Sequence, residues 1–131
     1  MNGFETYQNT AVTTQSRGRL IVLLYEGAIK FMKLAVNELE AGNYEAKGRY
    51  INRACDIINE LNAVLDMEAG GEVSSNLRRL YGFMLNRLGQ ANIKRDPGMI
   101  REVITLMDEL NQSWKTVATY LIAKEGKPCS K

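Results

Sequence analysis

The stretch Ser16-Arg17-Gly18-Arg19-Leu20-Ile21-Val22-Leu23-Leu24-Tyr25-Glu26-Gly27-Ala28-Ile29-Lys30-Phe31 decides how the chain is read. From Leu20 the apolar series Leu24, Ala28, Phe31, Ala35, Leu39 steps by four or three, the period of one helical face. Ser16 stands where a hydroxyl can accept from the free backbone donors of a first turn, and Gly42 supplies a left-handed stop.

Three more helices follow by the same reasoning. Asn43 can cap a second, striped by Ile51, Ala54, Ile58, Leu61 and Leu65. A loop from Asp66 to Val73, carrying Gly70-Gly71, leads to a third that starts near Ser74 and runs through Leu77, Leu80, Tyr81, Met84, Leu88 and Ala91. Asp96-Pro97 caps the fourth, with proline at the first helical position, where its missing N–H costs nothing. That helix reads Ile100, Val103, Ile104, Met107, Leu110, Trp114, Val117, Leu121. Each helix is about 20–25 residues, hence about 30–37 Å long. Matched helices on short links predict an all-α, antiparallel up-down four-helix bundle. The expected divisions are a mobile N-terminal segment over 1–15 that docks on the bundle, the bundle over 16–123, and a polar tail over 124–131.

The chain has 131 residues, enough for one domain with a real core and no disulfides. Histidine is absent, which removes Ser-His and Cys-His pairs, an imidazole base and carboxylate/His di-metal sites. Seventeen basic against fifteen acidic residues give a net charge of +2, too mixed for the strong basic field of a nucleic-acid binder. Cys55 and Cys129 match no metal spacing, and Cys55 in a helical pattern reads as an inert thiol. The longest apolar run, Leu20 to Tyr25, is far short of the about 20 residues that span a bilayer. No basic-then-apolar leader stands at Met1 to Thr10. The expectation is a cytosolic protein without stable membrane insertion, metal or cofactor.

Two features exceed what a minimal bundle needs. Ile21, Val22, Leu23 and Tyr25 flank the first stripe, and Tyr50, Ile57 and Val64 form a second row at seven-residue spacing. A helix apolar over more than one face covers something else when it is not central. These rows therefore predict a groove for an apolar partner. Gly27, Gly48, Gly82 and Gly89 sit inside helices, each at a cost of roughly 1 kcal/mol against alanine, and read first as tight helix crossings. Met32, Met84 and Met107 add adaptable packing. Ahead of the bundle, Phe4, Tyr7 and Val12 punctuate a polar segment as three docking anchors.

The stretch from Val12 to Ala28 resembles the signature of FliS, the bacterial flagellin export chaperone family, roughly V-x-T-A-S-P-x-x-L-I-x-M-L-Y-[DN]-G-A. Further similar pieces follow in order: Ala54-x-x-Ile57-Ile58-x-Glu60-Leu61, Leu65-Asp66, Gly70-Gly71-Glu72, Leu80-Tyr81, Leu88-x-x-Ala91-Asn92 and Trp114. The resemblance covers about Tyr7 to Trp114. It implies a cytosolic four-helix chaperone that holds the disordered C-terminal segment of flagellin, prevents premature polymerisation and assists type III export. An export-gate component and a co-chaperone or regulator are further partners it implies. It gives Tyr7, and after it Val12, the role of a cover that moves aside for the client, and places Leu20, Leu24 and Tyr25 in support of the patch beneath. With Leu23, Tyr50, Ile57 and Val64 from the surplus rows, these make up the candidate flagellin groove and its cover. Gln15 and Arg17 depart from the family's Ala and Pro; losing that proline removes a preset φ at the first turn.

Two other functional classes would use different residues. A helical-bundle regulator binding another protein or RNA would use Arg17 and Arg19, Arg78-Arg79 and Lys94-Arg95, three small pairs diluted by nearby acids. A carboxylate enzyme would need Asp56 with Glu60, or Glu68 with Glu72, to converge. The first of these pairs lies one turn apart beside Arg53 and reads as surface ion pairing. No catalytic residue is expected.

Overall fold

The computed structural model describes residues 13–65 and 67–126, with side chains placed over 17–65 and 70–116. Four helices follow one another: α1, Thr13–Glu40; α2, Tyr44–Ala63; α3, Met67–Lys94; α4, Pro97–Gly126. Each packs on its neighbours around a ring, α1 on α2 and α4, α3 on α2 and α4. Cross-links run antiparallel: Lys115 reaches Glu26 at 3.5 Å, Arg101 pairs with Glu40, and Arg87 reaches Glu102 at 2.9 Å. This is the expected up-down bundle. The first fifteen positions differ from expectation in one respect: α1 begins at Thr13, so Ser16 lies inside its first turn rather than ahead of it. The last helix also continues beyond residue 123 to Gly126.

Local chemistry explains the ends. Gly42 takes φ +83°. Its N–H donates to Leu39 O at 3.1 Å and the Asn43 N–H to Glu38 O at 2.8 Å, the paired bonds of a Schellman stop. Asn43 does not cap α2 with its side chain. Its Nδ2 donates back to Glu38 Oε1 at 2.8 Å, tying the turn to the helix it leaves. At the other link Arg95 holds the left-handed position at φ 54°, a conformation that costs a residue with a side chain roughly 1–2 kcal/mol. Its guanidinium carbon lies 3.8 Å from the Tyr44 ring centre, a cation–π contact that offsets part of that cost. Asp96 caps α4 as expected, accepting from Gly98 N at 2.9 Å.

The expected loop at 66–73 is replaced in large part by helix. One turn from Met67 precedes a break at Gly71, where φ 53° and ψ −122° suit only glycine, and α3 then runs on to Lys94. Gly70 is favoured for a different reason: a Cβ there would lie 2.8 Å from Ser74 Cβ and would also meet its hydroxyl.

The core is built from Tyr25, Ala28, Met32, Ala35 and Leu39 of α1, Ile51, Ala54, Ile58 and Leu61 of α2, Leu77, Tyr81, Met84, Leu88 and Ala91 of α3, and Ile100, Val103 and Met107 of α4. The α1 stripe is thus turned from the expected one. Leu20 is exposed and Leu24 and Phe31 are half-buried, whereas Tyr25 and Met32 face inward. Ala28 and Ala35 bring α1 close to its neighbours. Val117 and Leu121 lie among the undescribed side chains.

Candidate functional site

The face between α1 and α2 gathers the surplus apolar residues. On α1 the positions 20, 24, 27 and 31 fall on one helical line. Opposite them stand Tyr50 and Ile57 of α2 and Val64 at its C-cap, all half-buried. Phe31 stacks on Tyr50, ring centres 6.0 Å apart and planes at 23°, and the Arg53 guanidinium covers Phe31 at 5.7 Å. One turn along, a Cβ on Gly27 would come within 3.3 Å of Ile57 Cδ1, so the missing side chain lets Ile57 settle against α1. The register that sets Phe31 beside Tyr50 and Gly27 beside Ile57 brings Val64 level with Leu20. At this end the seam opens to solvent: Leu20 is 45% and Leu23 59% exposed.

The candidate residues therefore separate into three groups. Leu24, Tyr50, Ile57 and Val64 are half-buried along the α1/α2 seam, and Leu20 and Leu23 stand exposed at its open end. Tyr25 is buried in the core, its hydroxyl 2.7 Å from that of Tyr81, with the Trp114 ring centre 6.3 Å from its own. Tyr7 and Val12 lie outside the described residues, as do Phe4, Cys129 and the side chain of Glu68.

Sequence reasoning missed Phe31 and Arg53 as parts of this face. Phe31 was placed in the core stripe, and Arg53 was expected to pair with Asp56 or Glu60. The signal was present in the seven-residue spacing from Leu20 to Gly27 and from Leu24 to Phe31. Of the four interior glycines only Gly27 is tight; a Cβ on Gly48 would sit in ordinary contact, 3.7 Å from Asn92 Oδ1. Around Gly82 and Gly89 there is open space, so neither is the tight crossing expected of it.

Burial shifts several ionisable groups near the core. Burial, followed by the charge of Asp56, pushes the Cys55 thiol up to about 11, which keeps it protonated and inert at neutral pH. Burial also pushes the Tyr25 and Tyr81 phenols above their ordinary value. Lys47 is 5% exposed and donates to the Asn92 carbonyl at 3.1 Å and to Asn92 Oδ1, closing the end of α3. Burial, aided by Arg95, lowers its pKa. No helix among the described residues is long and apolar enough to cross a membrane.

Comparison with known proteins agrees with this architecture. A family profile described as flagellar protein FliS matches residues 1–120. The flagellar secretion chaperone FliS of Salmonella typhimurium is 40% identical over 119 residues, covering 90% of this chain and 88% of its own. The protein of the same name in Bacillus subtilis is 37% identical over 114 residues, covering 87% and 84%. That of Vibrio cholerae is 34% identical over 117 residues, covering 86% of each. With a whole-chain profile match and relatives of this identity and coverage, the chain belongs to the FliS family of flagellar proteins.

Proposed function

We propose that the protein is a cytosolic export chaperone that holds the disordered C-terminal segment of flagellin on the α1/α2 seam. Held there, the segment cannot pack on other flagellins, so polymerisation waits until the subunit has passed through the flagellar type III export apparatus. The observation that carries this reading is the open end of the seam, where Leu20 and Leu23 stand exposed beside Leu24, Ile57 and Val64. The secretion-chaperone names of the relatives support it. A client helix laying its apolar stripe along the seam is the matching mode of recognition.

Magnitudes indicate how long the bound segment must be. Covering a half-exposed leucine contributes about 1 kcal/mol and a half-buried residue less, so the seam offers on the order of 4–5 kcal/mol. Micromolar affinity needs about 8 kcal/mol, and a disordered client also loses ordering entropy. The client must therefore extend beyond the seam and wrap more of the bundle, consistent with a segment of about 40–60 residues. Tyr7, with Val12 after it, acts as the cover that lies on the seam until the client displaces it. Further contacts with an export-gate component and a co-chaperone belong to the same reading.

The test is assembly itself. Purified flagellin monomers are induced to polymerise and followed by light scattering, with and without one equivalent of the protein. Suppression that vanishes for flagellin lacking its C-terminal segment supports the proposal; unchanged scattering contradicts it. The Tyr7→Ala chain should alter client affinity with no loss of helical circular dichroism, and a large loss would make Tyr7 structural instead.

A further inference from the structure

Charge is distributed unevenly along the chain. The stretch from Val73 to Arg95, nearly all of it α3, carries five of the seventeen basic residues and none of the fifteen acidic ones. These are Arg78, Arg79, Arg87, Lys94 and Arg95, and among the described residues only Arg87 meets a carboxylate, that of Glu102 at 2.9 Å. α3 packs on α2 and α4 and not on α1, so the side opposite its buried stripe is an outer face distinct from the α1/α2 seam. On that side Arg79, Gly82, Asn86, Gly89 and Ile93 step by three and four, the spacing by which one helix pairs with another. All five are exposed. Ile93 is 83% exposed, and Phe83, beside this line, 43%. A Cβ on Gly82 or Gly89 would meet nothing, so neither glycine serves the packing of the bundle, and each weakens the helix relative to alanine.

We infer that the outer face of α3 docks an acidic amphipathic helix of a partner protein. Charge complementarity selects the occupant. Two cationic pairs, Arg78-Arg79 and Lys94-Arg95, stand about 22 Å apart along the helix, and the line between them is uncharged. A helix with carboxylates towards both ends and an apolar centre matches that order, and the bare glycines let its backbone come close. Phe83 and Ile93 then flank the contact as apolar anchors. A second copy of the chain fits poorly, because cations on one α3 would meet cations on the other with no acid between them. A nucleic-acid strand fits poorly for a different reason. The Arg87 guanidinium lies 5.8 Å from the Phe83 ring centre, so that ring is not a free platform for a stacked base.

The experiment uses the full chain and a labelled synthetic helical peptide of about twenty residues, long enough to reach both cationic pairs. Its contact face is alanine and leucine, with glutamates towards both ends; a control peptide has lysine at every glutamate. By fluorescence anisotropy the glutamate peptide should bind at least about tenfold tighter than the lysine peptide, and raising the salt should narrow the difference. In a Gly82→Gln/Gly89→Gln chain, which gains helix propensity and so stays folded, its affinity should fall by about tenfold as the two side chains hold the peptide off. Equal affinities for the two peptides, binding of neither, or an unchanged affinity in the glutamine chain overturn the assignment. Displacement of the glutamate peptide by oligouridylate, with the oligonucleotide bound equally well by the glutamine chain, makes the face a phosphate site and also overturns it. So does a native chain that sediments as a dimer while the glutamine chain sediments as a monomer, since the occupant is then a second copy. None of these outcomes bears on flagellin binding at the seam, which is tested separately.

Discussion

The phenol oxygens of Tyr25 and Tyr81 lie 2.7 Å apart in the middle of the bundle, joining α1 to the helix diagonally opposite. The Trp114 ring packs against Tyr25, its centre 6.3 Å from the phenol ring's. The two phenols thus satisfy each other in an otherwise apolar core, and a rotation of α1 would leave both unpaired and part Tyr25 from the Trp114 ring. This fixes which face of the Leu23-Leu24-Tyr25 turn is presented: Tyr25 inward, Leu24 to the seam, Leu23 to solvent. The positioning of the candidate groove follows from a core contact.

Replacing Tyr25 by Phe should destabilise the fold by about 1–2 kcal/mol, because the buried Tyr81 phenol loses its partner, and Tyr81→Phe by a similar amount. The double variant should lose less than the sum, since no phenol is left unpaired. Urea unfolding followed by the fluorescence of Trp114 measures all three.

Leu20→Glu and Leu23→Glu should leave unfolding free energy within about 0.5 kcal/mol of the native value, as expected for exposed positions. Each should weaken client binding, the pair by at least about tenfold, since the apolar contact is lost and a charge must be desolvated. Calorimetry beside thermal unfolding separates the two effects. Tyr25→Ala, in contrast, should cost about 3–5 kcal/mol of stability through the cavity it leaves.

Gly82 and Gly89 sit in α3 with open space around them, so alanine at either position meets nothing. Each substitution should raise stability by about 0.5–1 kcal/mol, and the two together should add. Denaturant midpoints at an unchanged m-value check this. Gly27→Ala, pressed against Ile57, should return less of that gain.

Stability should fall as pH rises from 9 to 11. In the unfolded chain the Cys55 thiol ionises at its ordinary 9.0, whereas in the fold it keeps its proton up to about 11. The unfolded state then binds fewer protons, and the linkage sign makes the folded state lose ground through this window. Tyr25 and Tyr81, both raised, extend the loss above pH 10. Lys47, lowered from 10.5, acts in the opposite sense below that value. A Cys55→Ala chain should show a shallower decline from pH 9 to 11 than the native chain, read from urea midpoints at each pH.

Helix number, order and most boundaries were legible because their causes are local. Gly42 ends α1 by its own φ, and Asp96-Pro97 starts α4 by its own hydrogen bond. The phase of α1 was not, since Leu20 to Tyr25 is apolar nearly all round and periodicity cannot choose a face there. The choice is made by Tyr81 and Trp114, far along the chain. Buried polar residues were equally hidden: no spacing singles out Lys47 or Asn111, and only the packed bundle shows both buried, the first closing α3 through Asn92. The seam was half legible. Its α2 row was read from spacing, but Phe31 was assigned inward because α1 was set about one position out of phase.

The measurement that tests the central claim most directly is calorimetric titration of the protein with intact flagellin and with flagellin lacking its last ~40–60 residues, the length suited to a wrapped disordered client. Binding on the seam predicts roughly one-to-one heat with the intact protein and none with the truncated one. Equal heats from the two would place the interaction elsewhere on flagellin and contradict the account.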